Sequence, residues 1–133
     1  MSVVHSNSDS DSVVGTISVC NDFDVKRQDI DYLLVAAFEG GITYWCDQIK
    51  IDGDWPENAD YASDCLSRGV DLMLHDYEEN HWHRLTLPAF LSGVKLAMEQ
   101  FNCATFEQFM DEHDASYADI AVQFAIFEEI MYG

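Results

Sequence analysis

The chain has 133 residues, and its 25 Asp and Glu residues outnumber 6 Lys and Arg residues, which gives a formal net charge of −19 at pH 7. This charge excludes a domain that binds DNA or RNA directly or lies on an anionic membrane, and the apolar runs are far shorter than the roughly 18 residues of a membrane-spanning helix. Because 48% of the residues are hydrophobic and 13% are aromatic, a disordered acidic chain is excluded as well.

The first residues predict a tail ahead of one folded unit. Residues 1–12 are rich in Ser and contain little apolar material, so we predict a disordered tail. A single α+β domain is expected over residues 13–133, since the length suits one compact core. The tail lacks a cationic stretch followed by an apolar one, so no secretory signal is visible and we expect a cytoplasmic protein.

A strand, a turn and a helix are predicted next. Residues 13–20 alternate between apolar and polar types and predict the strand. Residues 21–24 predict a turn, in which Asp22 or Asp24 caps the following helix. That helix is predicted by apolar residues at 3.6-residue spacing, namely Ile30, Leu33, Leu34, Ala37 and Phe38. The glycine pair at 40–41 predicts a helix end or a place of close packing.

The clearest hairpin lies within residues 70–87. Apolar residues alternate in both halves of this stretch, and a register that faces them sets Leu72 opposite Leu85 and Leu74 opposite His83. The loop between the strands then has about four residues, which is an allowed hairpin length.

The last third of the chain is predicted to be helical. Pro88 suits the first turn of one helix, Thr105 and Gln108 form a capping box ahead of a second, and Asp114 or Ser116 caps a third. The third helix carries an apolar stripe formed by Tyr117, Ile120, Ala121, Phe124, Phe127 and Met131. The predicted fold class is therefore α+β: a small antiparallel sheet of about three strands with helices packed on one face, and a helical C-terminal third.

Three histidines near the hairpin loop are the best candidates for metal ligands. His81 and His83 place two imidazoles on one strand face, where a third ligand would complete a zinc site. The predicted register sets His75 across from Trp82, on the opposite face. We therefore predict no metal and no cofactor, and keep a small metal-dependent hydrolase as an alternative.

Other catalytic signals are missing from the sequence. There is no G-x-S-x-G nucleophile turn and no glycine-rich phosphate-binding loop. The cysteines, Cys20, Cys46, Cys65 and Cys103, are widely spaced. They predict reduced thiols, some of them in the core, with a disulfide framework or a zinc site as the alternative. We predict that the protein is not an enzyme.

An aromatic group is a further candidate site. On one interpretation, a pocket or an oligomer interface is lined by four residues, Tyr44, Trp45, Trp55 and Tyr61. They pack in the core of a small domain on the other, which we favour. A structural or regulatory protein that acts through an aromatic oligomer interface is thus a second alternative.

The acidic residues are concentrated in two long stretches. Residues 96–133 hold eight acids and no Lys or Arg, and residues 28–67 hold nine acids with Lys50 as the only cation. Because apolar stripes occupy the buried faces, we expect most of these carboxylates to face water. Solubility requires a net charge of only about 2 to 8 in magnitude for a small domain. The excess predicts a surface that imitates the charge of DNA.

Two stretches resemble a known group of proteins. Ala37-Phe-Glu-Gly-Gly-Ile-Thr-Tyr-Trp-Cys46 and Ala118-Asp-Ile-Ala-Val-Gln-Phe-Ala-Ile-Phe-Glu-Glu-Ile-Met-Tyr-Gly133 look like parts of small acidic proteins of phages and other mobile elements. Many proteins of that kind inhibit host defence, including anti-CRISPR and anti-restriction proteins. The resemblance implies a phage-encoded inhibitor in the host cytoplasm that blocks a basic DNA-binding channel. A CRISPR effector is the first expected target and a restriction enzyme the second.

The predicted contact surface has a binding role and no catalytic one. Its partner is the basic nucleic-acid-binding surface of a host defence complex, with no direct contact to nucleic acid or membrane. The predicted contact residues are Asp29, Asp31, Glu39, Asp47, Asp111, Glu112, Asp114, Glu128 and Glu129.

Overall fold

A computed structural model describes residues 9–18 and 22–133 and confirms the α+β class. The strands of these residues are β1 (Val13–Ser18), β2 (Asp22–Lys26), β3 (Cys46–Asp52), β4 (Asp71–Asp76) and β5 (His81–Leu85). The α-helices are α1 (Arg27–Ala36), α2 (Leu87–Gln100), α3 (Phe106–Glu112) and α4 (Ala115–Phe127). A π-helical turn at Ala37–Gly41 extends α1, and short 3-10 helices occupy Ala62–Asp64 and Leu66–Arg68.

The predicted hairpin and its register are confirmed. Strands β4 and β5 pair antiparallel with Leu72 opposite Leu85 and Leu74 opposite His83. Leu72, Leu74 and Leu85 are completely buried. This shared apolar face sets the register, because a slip by one residue would turn every one of these side chains to the opposite face.

The third strand of this sheet is β3, which the sequence analysis did not assign. It pairs antiparallel with β4, so β4 lies in the centre of a β3-β4-β5 sheet. Ile49 and Ile51 are half-buried and alternate with exposed residues. Two alternating apolar residues are too few to predict a strand from the sequence. The strand is defined by its pairing with β4.

The N-terminal strand belongs to a second sheet, and the predicted turn after it is wrong within the described residues. Strands β1 and β2 pair antiparallel as a separate two-stranded sheet. Asp22 and Asp24 lie in β2 and do not cap α1. Instead, the carboxylate of Asp29 accepts a hydrogen bond from the Lys26 amide at 3.0 Å. Complete burial of Val25 outweighs the turn preference of the two aspartates.

The predicted close packing at the glycine pair is confirmed for Gly41. A Cβ added at Gly41 would lie 2.5 Å from the backbone oxygen of Ala115 at the start of α4. Helix α1 therefore ends in the π-helical turn, where its backbone touches the beginning of the last helix.

The three C-terminal helices begin near the predicted caps. The Thr86 hydroxyl accepts from the Ala89 amide ahead of Pro88. Thr105 accepts from the Gln108 amide at 3.0 Å, and Asp114 accepts from the Tyr117 amide at 3.0 Å. Each bond satisfies one backbone donor that a helix start leaves free.

The last helix is shorter than its predicted stripe. Helix α4 ends at Phe127, and Glu128 takes a left-handed conformation with φ of 61°. Met131 therefore lies beyond the helix and is exposed.

The core lies between the helices and the larger sheet. Trp45, Phe90 and Phe109 are its largest completely buried side chains, and α4 packs against α2, the π-helical turn and β5. Within residues 9–18 and 22–133, no helix has the length and apolar composition needed to cross a bilayer. Residues 9–12, placed in the predicted tail, contact this fold through Asp9, which pairs with Arg27 and Arg68.

Candidate functional site

The cations of the protein are mostly neutralised within the fold. Four of the six form ion pairs with aspartates, and these are Lys26, Arg27, Arg68 and Arg84. A fifth, Lys50, places its ammonium 4.3 Å from the ring centroid of Trp82. The aspartates that pair with these cations all lie within residues 9–71. The negative charge that is neutralised therefore lies in the N-terminal part of the chain and in the first two strands of the larger sheet.

A set of six acids lies on α3 and beyond the two ends of α4, and no cation of the described residues compensates it. We call it the α3–α4 surface, and its members are Glu107, Asp111, Glu112, Asp114, Glu128 and Glu129. All six side chains belong to exposed residues, and within the described residues none forms an ion pair with Lys or Arg. Residues 96–133 contain no Lys or Arg, so no cation of this segment offsets the six acids.

Asp29 and Asp31, like the cap residue Asp114, already serve the fold. Asp31 accepts from the Ser67 hydroxyl at 2.7 Å and from the Arg68 guanidinium at 3.2 Å. Burial raises the pKa of Asp31, while Ser67 and Arg68 act in the opposite direction. Asp29 is half-buried and caps α1. Glu39 is exposed on the π-helical turn, away from such pairing.

Asp47 pairs with a histidine rather than standing free. Its carboxylate lies 2.6 Å from Nδ1 of His75, whose Nε2 lies 3.0 Å from the Asn80 side-chain oxygen. The hydrogen bond with His75 lowers the pKa of Asp47, and the same bond raises the pKa of His75. Asp47 lies in β3 and His75 in the neighbouring strand β4, so this side-chain pair joins the two strands.

We expect this pair to make stability depend on pH in a defined window. Because the pKa of His75 is raised above the unfolded value of about 6.5, the stabilisation is complete below about pH 6.5 and is lost as pH rises through the folded pKa. Thermal unfolding of the wild type and of His75→Gln should differ most near pH 6 and converge in alkaline solution. Asp47→Asn should remove the same pH dependence, and an equal difference at every pH would contradict the assignment.

A buried carboxylate was missed by the sequence analysis. Asp119 was grouped with the water-facing acids, but its residue is only 6% exposed. It accepts hydrogen bonds from the Tyr44 hydroxyl at 2.6 Å, the Trp45 indole at 2.8 Å and the Gln123 amide at 2.9 Å. Three donors therefore take the place of water around this charge, as a buried carboxylate requires.

Gln123 links this carboxylate to residues 128–133. Its Oε1 accepts from the amides of Met131 and Tyr132, both at 2.8 Å. Tyr132 stacks on Trp45 with ring centroids 5.7 Å apart and donates to Asp76, a completely buried carboxylate, at 2.7 Å. The sequence signal was a pair of polar residues, Asp119 and Gln123, one helical turn apart in an otherwise apolar helix.

A cavity adjoins this network, with a volume of about 690 Å³ between the Gly40–Gly41 backbone, the start of α4 and residues 128–133. Tyr44, Asp119 and Tyr132, which line it, are already engaged in side-chain hydrogen bonds. Burial and the bond to Asp119 raise the pKa of Tyr44 to about 12, so the hydroxyl stays protonated at neutral pH. The arrangement holds residues 128–133 against α4 through Gln123.

The three histidines near the hairpin loop lie on two faces of the sheet. The rings of His81 and His83 meet edge to face on one face, with centroids 4.7 Å apart, whereas His75 lies opposite Trp82 as predicted. In the part of the chain that the structure describes, no three His, Cys, Asp or Glu side chains are placed to hold a metal ion.

The described thiols, Cys46, Cys65 and Cys103, are free and buried, and Cys20 lies outside the described residues. Burial raises the pKa of all three and brings that of Cys46 to about 11, so they are neutral and poorly nucleophilic at pH 7.

The aromatic residues do not form one cluster. Trp45 is completely buried in the core, while Tyr44, Trp55 and Tyr61 are 44%, 55% and 71% exposed. Tyr44 and Tyr61 line different cavities. The favoured interpretation, core packing, is therefore right for Trp45 alone.

Comparison of the chain with protein-family models, with curated proteins and with solved structures finds no match. The resemblance to small acidic proteins of mobile elements stays a prediction from the residues quoted above.

Proposed function

We propose that this protein is a phage-encoded or mobile-element-encoded inhibitor that binds the basic nucleic-acid-binding surface of a host defence complex in the host cytoplasm. A CRISPR effector is the first expected target and a restriction enzyme the second, on the resemblance alone. The observation that supports a binding role is the separation of charge. Most cations are paired with aspartates, and the α3–α4 surface keeps six exposed acids with no cation among them.

A surface of this kind competes with DNA for a basic channel through its negative electrostatic field. Duplex DNA presents about one charge per 1.7 Å of its axis, and a protein channel that binds DNA is lined with Lys and Arg to match. Carboxylates on α3 and beyond the two ends of α4 offer negative charge to the same channel. Such charge raises the association rate and makes the affinity fall with salt.

We expect neutralisation of three acids on the α3–α4 surface to weaken this binding. The variant Glu112→Gln, Glu128→Gln, Glu129→Gln removes three charges and keeps the size of each side chain. Its affinity for a purified effector complex should fall roughly tenfold at low salt. Its salt dependence, measured by calorimetry from about 0.05 to 0.3 M salt, should be shallower than that of the wild type.

The control removes the same charge elsewhere. Asp54→Asn, Glu57→Gln, Asp60→Asn changes three exposed acids of the loop after β3 and should leave affinity within about twofold, since distant exposed charges are screened. Equal weakening by both variants would mean that net charge acts without a defined surface. Binding that does not compete with target DNA would contradict the proposal.

A further inference from the structure

A groove separate from the large cavity lies between β2 and α3. Its volume is about 300 Å³, at the small end of the roughly 300–1,000 Å³ typical of ligand sites. Phe23 of β2 forms one apolar wall, and Phe106 and Met110 of α3 form the other. Phe106 is buried, whereas Phe23 and Met110 are half-buried and present apolar surface to the groove.

Carboxylates rim this groove on both sides. Asp24 and Asp29 come from β2 and the first turn of α1, and Glu107 and Asp111 come from α3. Within the described residues, the side chains of Asp24, Glu107 and Asp111 have no hydrogen bond or ion pair.

Lys26 also lines the groove, with its ammonium 3.9 Å from the carboxylate of Asp11. Four acids against one cation leave the rim with a net charge of −3, counted over these five groove residues.

We propose that this groove receives an arginine side chain of a basic partner protein. The inference rests on the proposed function, since it names the part of the anionic surface that binds a side chain of the partner. The apolar walls match the aliphatic stem of the side chain, and the rim matches its charge. Arginine suits the groove better than lysine, because a planar guanidinium stacks on aromatic rings and bonds to carboxylates through several donors at once.

The test uses the full chain labelled with ¹⁵N and a blocked hexapeptide that contains two adjacent arginines. Titration should move the amide signals of residues 23–29 and 106–111, and a peptide with lysines in place of arginines should bind about threefold more weakly. Glu107→Gln with Asp111→Asn should weaken binding of the arginine peptide about tenfold. The matched control, Asp54→Asn with Glu57→Gln, should weaken it less than twofold. The ¹⁵N spectrum of each variant reports directly whether its fold is intact.

The failure of this inference differs from the failure of the proposed function. Signal changes spread over all exposed acids, or equal weakening of peptide binding by the two variants, would overturn the assignment of the groove as the arginine site. This holds even where a defence complex still binds. Localised changes with the expected loss on Glu107→Gln and Asp111→Asn would establish the groove even where no defence complex binds.

Discussion

Replacing Asp119 by Ala should lower the free energy of unfolding by about 3 kcal/mol and the Tm by roughly 10 °C. The substitution leaves the Trp45 indole and the Tyr44 hydroxyl without the carboxylate that accepts from them at 2.8 and 2.6 Å, while the Gln123 amide keeps two other acceptors. Each unsatisfied buried donor costs about 1–3 kcal/mol, and the gain from no longer burying a charge offsets part of the sum. Urea unfolding followed by tryptophan fluorescence measures the change, since Trp45 reports on this environment.

The matching substitutions separate charge from hydrogen bonding. Asp119→Asn keeps one oxygen as an acceptor and should lose about half as much stability as Asp119→Ala. Asp111→Ala removes an exposed acid of α3 and should change stability by less than about 0.5 kcal/mol. If Asp119→Ala were as stable as the wild type, the network around residues 128–133 would contribute nothing to the fold.

Gly93→Ala should lower stability by about 2 kcal/mol although alanine is the better helix former. A Cβ at Gly93 would lie 2.2 Å from the backbone oxygen of Ala121 and 2.9 Å from the backbone nitrogen of Ala125. Both atoms belong to the backbone of α4, so no rotation of a side chain relieves the contact and α2 must move away from α4. Overpacking of this kind costs about 1–3 kcal/mol or more, against a propensity gain of about 1 kcal/mol.

Gly40→Ala provides the matched control for the glycine substitution. A Cβ at Gly40 meets no atom within 4 Å, so this variant should keep or slightly raise the Tm in the same thermal melt. Equal effects at the two glycines would show that backbone freedom, and not the approach of α2 to α4, determines the result at Gly93.

The sequence predicted the fold best where local patterns and long-range packing agree. The register of Leu72 with Leu85 followed from alternation, and the caps at Thr105 and Asp114 followed from residue type and spacing. Strand β2 was missed because its aspartates have a strong turn preference. Its strand character depends on pairing with β1 and on the burial of Val25, neither of which is a local property.

The candidate site was predictable in its charge and only partly in its geometry. Exposure of Asp111 and Glu128 follows from their places beside apolar stripes. Burial of Asp119 does not, because the Tyr44 hydroxyl that it binds lies 75 residues away in the chain. The same holds for Asp31, whose partner Arg68 lies 37 residues away. Carboxylates that find donors across the fold look, in sequence, like carboxylates that face water.

The absence of Lys and Arg from residues 96–133 also decides which chemical methods can map a complex of this protein. Amine-reactive cross-linkers need a lysine, so they cannot report on the α3–α4 surface at all. Trypsin cuts after Lys and Arg, so a digest keeps that whole surface in one long peptide that begins after Lys95. Reagents that couple carboxylates to amines, combined with a protease that cuts at acidic residues, suit this face of the molecule.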